Sequence, residues 1–452
     1  MRLLTPQHPA RLVAIGFALA VAVGTVLLML PIATESGDSA PPVTALFTAT
    51  SAVCVTGLVV VDTGSYWSTF GELVILALIQ VGGLGIMTLA SLLGLLVARR
   101  MGLRMQLVAQ AETKSLRLGE SKRVVVGVIA LSLAVEAVIA AVLTGRFLTG
   151  YDESFGRALY LGIFHSVSAY NNAGFSLYPD SLVPFATDLW IIAPIVVGFV
   201  FGGLGFPVMF EAGRHLLHWL RRAEERITGW SLHTKITVWT YAGLALLGAV
   251  SITAIEWSNA ATLGPLDGVG KLVTGVFAGL SPRTAGFNSI DVGAMHPSSL
   301  LITDMLMFVG GGSAGTAGGI KVTTFALLAF VVIAEVRGEP SVHVVGRKLA
   351  PAVQRQAITV VLLGAGAVIV GTLAIMLMTE YRLEVVMFEV VSAFATVGLS
   401  TGITADLPAG AQVLLVVLMF IGRLGPITLA TALALRERTR RYEYPEERPI
   451  VG

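Results

Sequence analysis

Apolar residues along the chain run in two lengths. Long apolar stretches fall near 10–32, 72–98, 124–148, 188–213, 235–255, 299–333, 356–379 and 410–435. Each could cross about 30 Å of hydrocarbon as a helix rising 1.5 Å per residue. Between them lie four shorter apolar segments, near 43–56, 158–172, 270–283 and 384–396. These are too short to cross and have the length of re-entrant helices. The order long, short, long recurs four times. It divides the chain into units 1–120, 121–230, 231–350 and 351–440, followed by a polar tail, 441–452. The pattern predicts an all-α integral membrane protein, with eight transmembrane helices and four re-entrant loops in four pseudo-symmetric repeats.

Composition supports a non-aqueous environment. Only 13% of residues are charged and 55% are hydrophobic, whereas soluble domains carry about 25% charged residues. Fifty glycines suit close helix packing in a membrane. The one cysteine, Cys54, excludes an intrachain disulfide and reads as a small packing residue. The first apolar run has the length of a span and no small-residue cleavage pattern, so it reads as a helix, not a leader.

Each short segment ends on a similar string. These are Ser51-Ala52-Val53-Cys54-Val55-Thr56-Gly57-Leu58 and Ser168-Ala169-Tyr170-Asn171-Asn172-Ala173-Gly174-Phe175, then Leu280-Ser281-Pro282-Arg283-Thr284-Ala285-Gly286-Phe287 and Ser392-Ala393-Phe394-Ala395-Thr396-Val397-Gly398-Leu399. The four glycines are 117, 112 and 112 residues apart. Phe47, Phe164 and Phe388 stand ten residues before three of them, while the third repeat has Val276 there with Phe277 beside it. A second element follows 25, 28, 24 and 24 residues later: Gly82-Gly83-Leu84-Gly85, Gly202-Gly203-Leu204-Gly205, Gly310-Gly311-Gly312-Ser313 and Gly422-Arg423-Leu424-Gly425. Two elements in register over four copies mark internal repetition.

Charge sets the expected orientation. The connections between repeats, the N-terminal arm and the tail hold 23 of the 30 basic residues. The opposite side is acidic, with Asp62, Asp180, Asp267 and Asp406 among others. By the positive-inside rule both termini are cytoplasmic and the four short segments enter from outside.

Irregular backbone at membrane depth is tolerated where it lines a wet cavity. Four equivalent loops around one axis would make a pore ringed by carbonyl oxygens, which can replace the hydration shell of an alkali cation. Glycine supplies the required backbone angles at low steric cost. The short helix before each loop directs its negative end at the ion. A single such glycine could equally be a helix cap; four in register favour a filter. The filter set is Val55, Thr56 and Gly57, Asn172, Ala173 and Gly174, Thr284, Ala285 and Gly286, and Thr396, Val397 and Gly398.

Residues 310–319 carry six glycines inside the second apolar stretch of repeat three. Each glycine costs a helix interior about 1 kcal/mol relative to alanine, so the helix should break here. Gly310, Gly311, Gly312, Ser313, Gly315, Thr316, Gly318 and Gly319 then form an intramembrane loop that could gate conduction, with Lys321 as an anchor at the cytoplasmic rim. A tight helix crossing is the structural alternative. Arg423 holds the matching place in repeat four. A charge inside a span is a functional hypothesis by default; it could bond loop carbonyls, act as a positive barrier, or only clamp helices. Arg283 could order the third filter loop from behind, Asn171 and Asn172 could brace the second, and Glu136 and Glu389 could charge a pore mouth.

The four repeats with one filter glycine each resemble the Trk/Ktr/HKT superfamily of potassium transporters. Val-Thr-Gly-Leu, Asn-Asn-Ala-Gly-Phe, Arg-Thr-Ala-Gly-Phe-Asn and Thr-Val-Gly-Leu are most similar to the bacterial KtrB type, over about residues 10–440. Trk-type members usually carry extra N-terminal spans, and here the first repeat begins at once. Gly57, where sodium-preferring plant relatives have serine, implies potassium. The resemblance also implies a gating loop at 310–319, a homodimer, and a cytoplasmic KtrA-like ring that binds the regulatory nucleotide. Docking would use the basic connections and the 436–452 tail, although topology and anionic lipid equally explain basic loops. No nucleotide-binding glycine loop stands between a strand and a helix, so any nucleotide acts through the partner. No nucleic-acid partner or resident cofactor is expected. Coupling to sodium or protons stays open. A secondary transporter with broken helices is the alternative, though that class usually shows two inverted repeats. No Ser/His pair, HExxH motif or Asp dyad within a span supports an enzyme.

Overall fold

A computed structural model of the protein describes residues 9–100, 120–221 and 229–425, with side chains placed over 13–85, 124–220 and 229–425. These residues are mostly helical. The helices are α1 Pro9–Leu28, α2 Pro42–Val53, α3 Thr69–Arg100, α4 Glu120–Gly150, α5 Phe155–Tyr170, α6 Leu189–Leu204 and α7 Phe206–Arg221. They continue as α8 Leu232–Glu256, α9 Gly268–Leu280, α10 Pro297–Phe308, α11 Val322–Val336, α12 Pro351–Met376, α13 Leu383–Ala395 and α14 Ala409–Leu424. The tail 441–452 and most of the 99–123 connection lie outside the described residues.

The four short apolar segments are α2, α5, α9 and α13. Their starts follow from local chemistry. Pro42 occupies the first turn of α2, where a missing N–H costs nothing. Ser154 and Asp267 cap α5 and α9 by accepting from the N–H of Arg157 and Gly270. Within repeats one, two and four the short helix packs against both longer helices that flank it, and in repeat three α9 packs against α8. The second helix of each repeat also contacts the short helix of the next: α3 with α5, α6 with α9, α10 with α13, and α14 with α2. That last contact closes the four repeats into a ring.

The polarity of the assembly is inverted relative to a soluble protein. Glu256, Arg283 and Glu389 are fully buried, while Leu19, Val138, Leu246 and Ile369 are each more than 60% exposed. By length and apolarity, α4, α8 and α12 can each cross a membrane alone, and α6 with α7 can as a bent pair. The other long elements include shorter apolar helices, such as Val13–Leu28 and Ala409–Leu424.

Two expected spans are not continuous. The stretch 188–213 breaks at Gly205 (φ +88°), and α7 leaves α6 at 107°. The stretch 299–333 breaks between Phe308 and Val322, slightly beyond the expected 310–319. In repeat one the glycines of 82–85 do not break α3. In repeat four α14 ends at Leu424 before Gly425 (φ +83°), and 426–435 lie outside the described residues. A hairpin pairing His343–Val344 with Arg347–Lys348 was not expected. Its turn residues, Val345 and Gly346, both have positive φ, as a two-residue hairpin turn requires. Val342 and Val344 pack it against Ile236 and Ala334.

Candidate functional site

The site is built where the four short helices end. Two residues before each repeated glycine stands a residue of positive φ: Val55 (56°), Asn172 (58°), Thr284 (66°) and Thr396 (51°). The glycines follow at 95°, 68°, 77° and 96° for Gly57, Gly174, Gly286 and Gly398. Left-handed backbone thus alternates with ordinary backbone in every loop, which turns successive carbonyls toward one side.

A serine near each helix end holds this conformation. The N–H of Thr56, Ala173, Ala285 and Val397 donates to the carbonyl of Ser51 (2.8 Å), Ser168 (2.7 Å), Ser281 (2.9 Å) and Ser392 (2.9 Å). The hydroxyls of Ser51 and Ser392 accept from the N–H of Gly57 and Gly398, each at 3.1 Å. Those of Ser168 and Ser281 donate to the carbonyls of Phe175 and Phe287. Sequence reading gave these serines no role, although each quoted string contains one.

The four loops meet in cyclic order. A β-carbon added at Gly57 would overlap the Ala173 carbonyl oxygen, and one at Gly174 would lie 3.1 Å from the Ala285 oxygen. At Gly286 it would overlap the Val397 oxygen, and at Gly398 the Thr56 oxygen. So each glycine abuts the carbonyl before the next repeat's glycine, and the circle closes. All twelve residues of the expected filter set fall in this ring, buried except for Gly398, which is half-buried.

On one side the ring floors a cavity of about 390 Å³, lined by the four glycines and by residues that follow them, Asp62 and Ser400 among these. On the other side lies the segment 309–321. Its limbs pair through Gly310 N–H to Ile320 O (2.8 Å) and Val322 N–H to Gly311 O (3.0 Å). Its tip bonds to repeat two: Gly312 N–H to Gly203 O (2.7 Å) and Thr316 N–H to Gly202 O (3.0 Å). The Thr316 hydroxyl donates to Asn172 Oδ1 at 2.7 Å and lies 3.2 Å from Tyr170 O. Asn172 Nδ2 in turn points at Thr284 Oγ1 at 3.4 Å. Gly318 fits against Thr396, where a side chain would strike its hydroxyl. The segment therefore touches loops two and four from beneath.

Two buried arginines hold it. Arg423 donates from Nη1 to Thr316 O and from Nη2 to Gly82 O at 3.1 Å. Arg283 donates to Val309 O and Gly310 O, both at 2.5 Å, and stacks over Tyr241 at 5.0 Å. Lys321 bonds to its own segment, with Nζ on Ala317 O at 2.5 Å. Glu136 and Glu389 are not mouth charges. Glu136 accepts from Gln80 and Asn171 behind loop two (3.1–3.2 Å). Glu389 accepts from Ser400 Oγ (2.5 Å), Thr401 N–H (3.0 Å) and Thr404 Oγ1 (2.9 Å), bracing the segment after Gly398.

Comparison with known proteins agrees with this architecture. The family model described as TrkH, cation transport protein, matches residues 13–442. The chain is 37% identical to Ktr system potassium uptake protein B of Bacillus subtilis, covering 98% of this chain and 97% of that one. It is 36% identical to the Ktr system potassium uptake protein B of Vibrio alginolyticus (98% and 94% covered). It is 32% identical to the potassium/sodium uptake protein NtpJ of Enterococcus hirae (98% and 97%). The crystal structure of the potassium transporter TrkH from Vibrio parahaemolyticus superposes with a TM-score of 0.74 at 17% identity, over 96% of this chain and 86% of that one. That last likeness is one of fold.

Proposed function

Because the chain belongs to the TrkH family of cation transport proteins, we propose that it takes up potassium through the axis of its four repeats. The observation that carries this reading is the closed ring of four positive-φ glycine loops between an open cavity and the 309–321 segment. In this reading eight spans and four pore loops surround the axis, with both termini cytoplasmic and the cavity outside. A cation arriving there exchanges water for the carbonyls of the filter residues. Four helix C-termini, at Val53, Tyr170, Leu280 and Ala395, add negative potential at the same level. One glycine per loop gives a short filter and so fewer ion sites than the longer strings of potassium channels.

The segment 310–319 then acts as the gate. It lies on the inner side of the ring, and its release would open the path. The positive charge of Arg423 beside it opposes cation passage while it is closed. The relatives named for the Ktr system support a second component, here a cytoplasmic nucleotide-binding ring acting on a homodimer of this chain. The relative named for both potassium and sodium makes sodium the ion to compete.

The deciding test is flux from purified protein in liposomes, with potassium and sodium gradients applied in turn and a cytoplasmic partner present or absent. Potassium flux that excludes sodium severalfold is the expected result. Flux driven by another solute and indifferent to potassium would refute the proposal.

A further inference from the structure

Helix α7 is amphipathic but turned the wrong way for a water-facing surface. On its polar side Glu211 accepts from Ser231 N–H and Oγ, both at 2.7 Å, and His215 stacks on Trp230 at 4.3 Å, while Arg214 is exposed. Its apolar side faces outward, with Leu216, Leu217, Trp219 and Leu220 each more than half exposed and Trp219 at 73%. Val197 and Phe201 on α6 and Trp239 and Leu246 on α8 are likewise exposed. The 107° bend lays α7 across the axis of α6. Among the described side chains, Arg214 on α7 and Lys235 on α8 are basic, which suits an anionic leaflet.

The bend is also where repeat two grips the gate segment. Gly203 and Gly202 carbonyls accept from Gly312 and Thr316. At Gly205 an added β-carbon would stand 3.0 Å from Gly315 N and 2.6 Å from Ser313 O. A tilt of α7 pivots at Gly205, which lies against Ser313 and Gly315 of the loop tip and directly follows the α6 carbonyls that hold it.

We propose that α7 lies in the inner-leaflet interface, its apolar face among acyl chains, and works as a lever by which the bilayer biases the 310–319 gate. An in-plane amphipathic helix sinks its apolar face about 5–10 Å into the headgroup boundary. Force or lipid exchange at that depth is carried through Gly205 to Gly312 and Thr316. This rests on the gate and orientation assigned above.

The test has two independent readings. Cys54 is buried, so a fluorophore placed through Leu220→Cys or Arg214→Cys labels one position. In phosphatidylglycerol–phosphatidylethanolamine liposomes, the 220 label should be quenched by lipid bearing a nitroxide near the headgroup, and the 214 label by aqueous iodide. Iodide quenching at 220 overturns lipid burial. Protection at 220 from both quenchers also overturns it, and points to a second copy of the chain. Second, the Leu216→Ser/Leu220→Ser pair should shift potassium flux about tenfold, the change given by about 1.4 kcal/mol of bias in the loop equilibrium, with potassium preference intact. A lipid-buried α7 whose polar variant leaves flux unchanged overturns the lever. If wild-type protein passes no potassium, the transport proposal fails while the depth result stands.

Discussion

Replacing Arg423 by alanine isolates the hold on the segment proposed as the gate. The guanidinium is 5% exposed and spends its two Nη groups on Thr316 O and Gly82 O. A hydrogen bond from a charged donor contributes about 1.5–3 kcal/mol. Only the Thr316 bond ties the loop to α14; the Gly82 bond fixes the guanidinium to α3. The backbone bonds from Gly312 and Thr316 to α6 remain in the variant. The loop thus loses one bond of about 1.5–3 kcal/mol. At about 1.4 kcal/mol per factor of ten, basal potassium flux from a closed resting state should rise roughly ten- to a hundredfold. Removing the charge works in the same direction. Arg423→Lys keeps the charge but has no planar fork to serve two carbonyls, so it should fall between wild type and alanine. The assay is potassium efflux from liposomes without any partner, on protein shown to be folded by its thermal melt. A folded alanine variant that fluxes within about twofold of wild type would mean the bond contributes under about 0.5 kcal/mol, and the clamp would be refuted.

Three further substitutions probe the ring and its link to the loop. Gly57→Ser places a β-carbon on the Ala173 oxygen and holds a non-glycine at φ +95°. Left-handed backbone alone costs about 1–2 kcal/mol, so potassium preference over sodium, read from reversal potentials, should drop by roughly tenfold; unchanged preference would remove Gly57 from the filter. Thr316→Val removes the donor to Asn172 Oδ1 and leaves a buried acceptor unmet, a cost of about 1–3 kcal/mol. It should raise basal flux and weaken preference together, whereas Thr316→Ser should do neither, and equal behaviour of the two would break the link. Ser392→Ala takes one hydrogen bond from Gly398 N–H and should destabilise the fold by about 1 kcal/mol while lowering selectivity, measured by melt and by reversal potential.

Much of this architecture was legible because repetition amplifies weak signals. Four short apolar segments, read at 43–56, 158–172, 270–283 and 384–396, became α2, α5, α9 and α13 with ends shifted by one to three residues. The glycine run at 310–319 announced a break, since six helix-interior glycines cannot be compensated by local propensity. What was missed depends on register or on partners distant in sequence. Repeat three is one residue shorter between the phenylalanine of its short helix and its glycine. That deletion explains why Phe277, not Val276, joins Phe47, Phe164 and Phe388 in full burial, and why Ser281 stands five residues before its glycine where the others stand six. The break at Gly205 was hidden because Gly82–Gly85 in repeat one carries the same glycines through an unbroken helix. Pro207, in the first turn of α7, is the sequence signal that separates the two. Glu136 and Glu389 were misassigned because a charge in a span does not reveal which groups it serves.

The asymmetry of the gate has a physical origin in how each second helix meets the loop behind it. In three repeats a glycine lets that helix touch the backbone carbonyl four residues before the ring glycine: Gly82 on Val53, Gly202 on Tyr170 and Gly422 on Phe394. No β-carbon would fit at any of them, so the contact is backbone to backbone. Repeat three has Arg283 at this level instead of another close contact. Its guanidinium donates to Leu306, Val309 and Gly310 carbonyls, acceptors that a continuous helix would have satisfied internally. A helix that ends must satisfy its last carbonyls elsewhere, and Arg283 supplies the donors where α10 stops. The glycines that follow lower the cost of leaving the helical path, and the arginine removes the cost of leaving those carbonyls unpaired. Glycine content does not suffice by itself: Gly82, Gly83 and Gly85 leave α3 helical, although Arg423 also donates to Gly82 O. The third repeat thus gives up the backbone contact that anchors the others and gains a segment that crosses beneath the ring, where the bond from Thr316 to Asn172 joins ring and segment in one hydrogen-bonded unit.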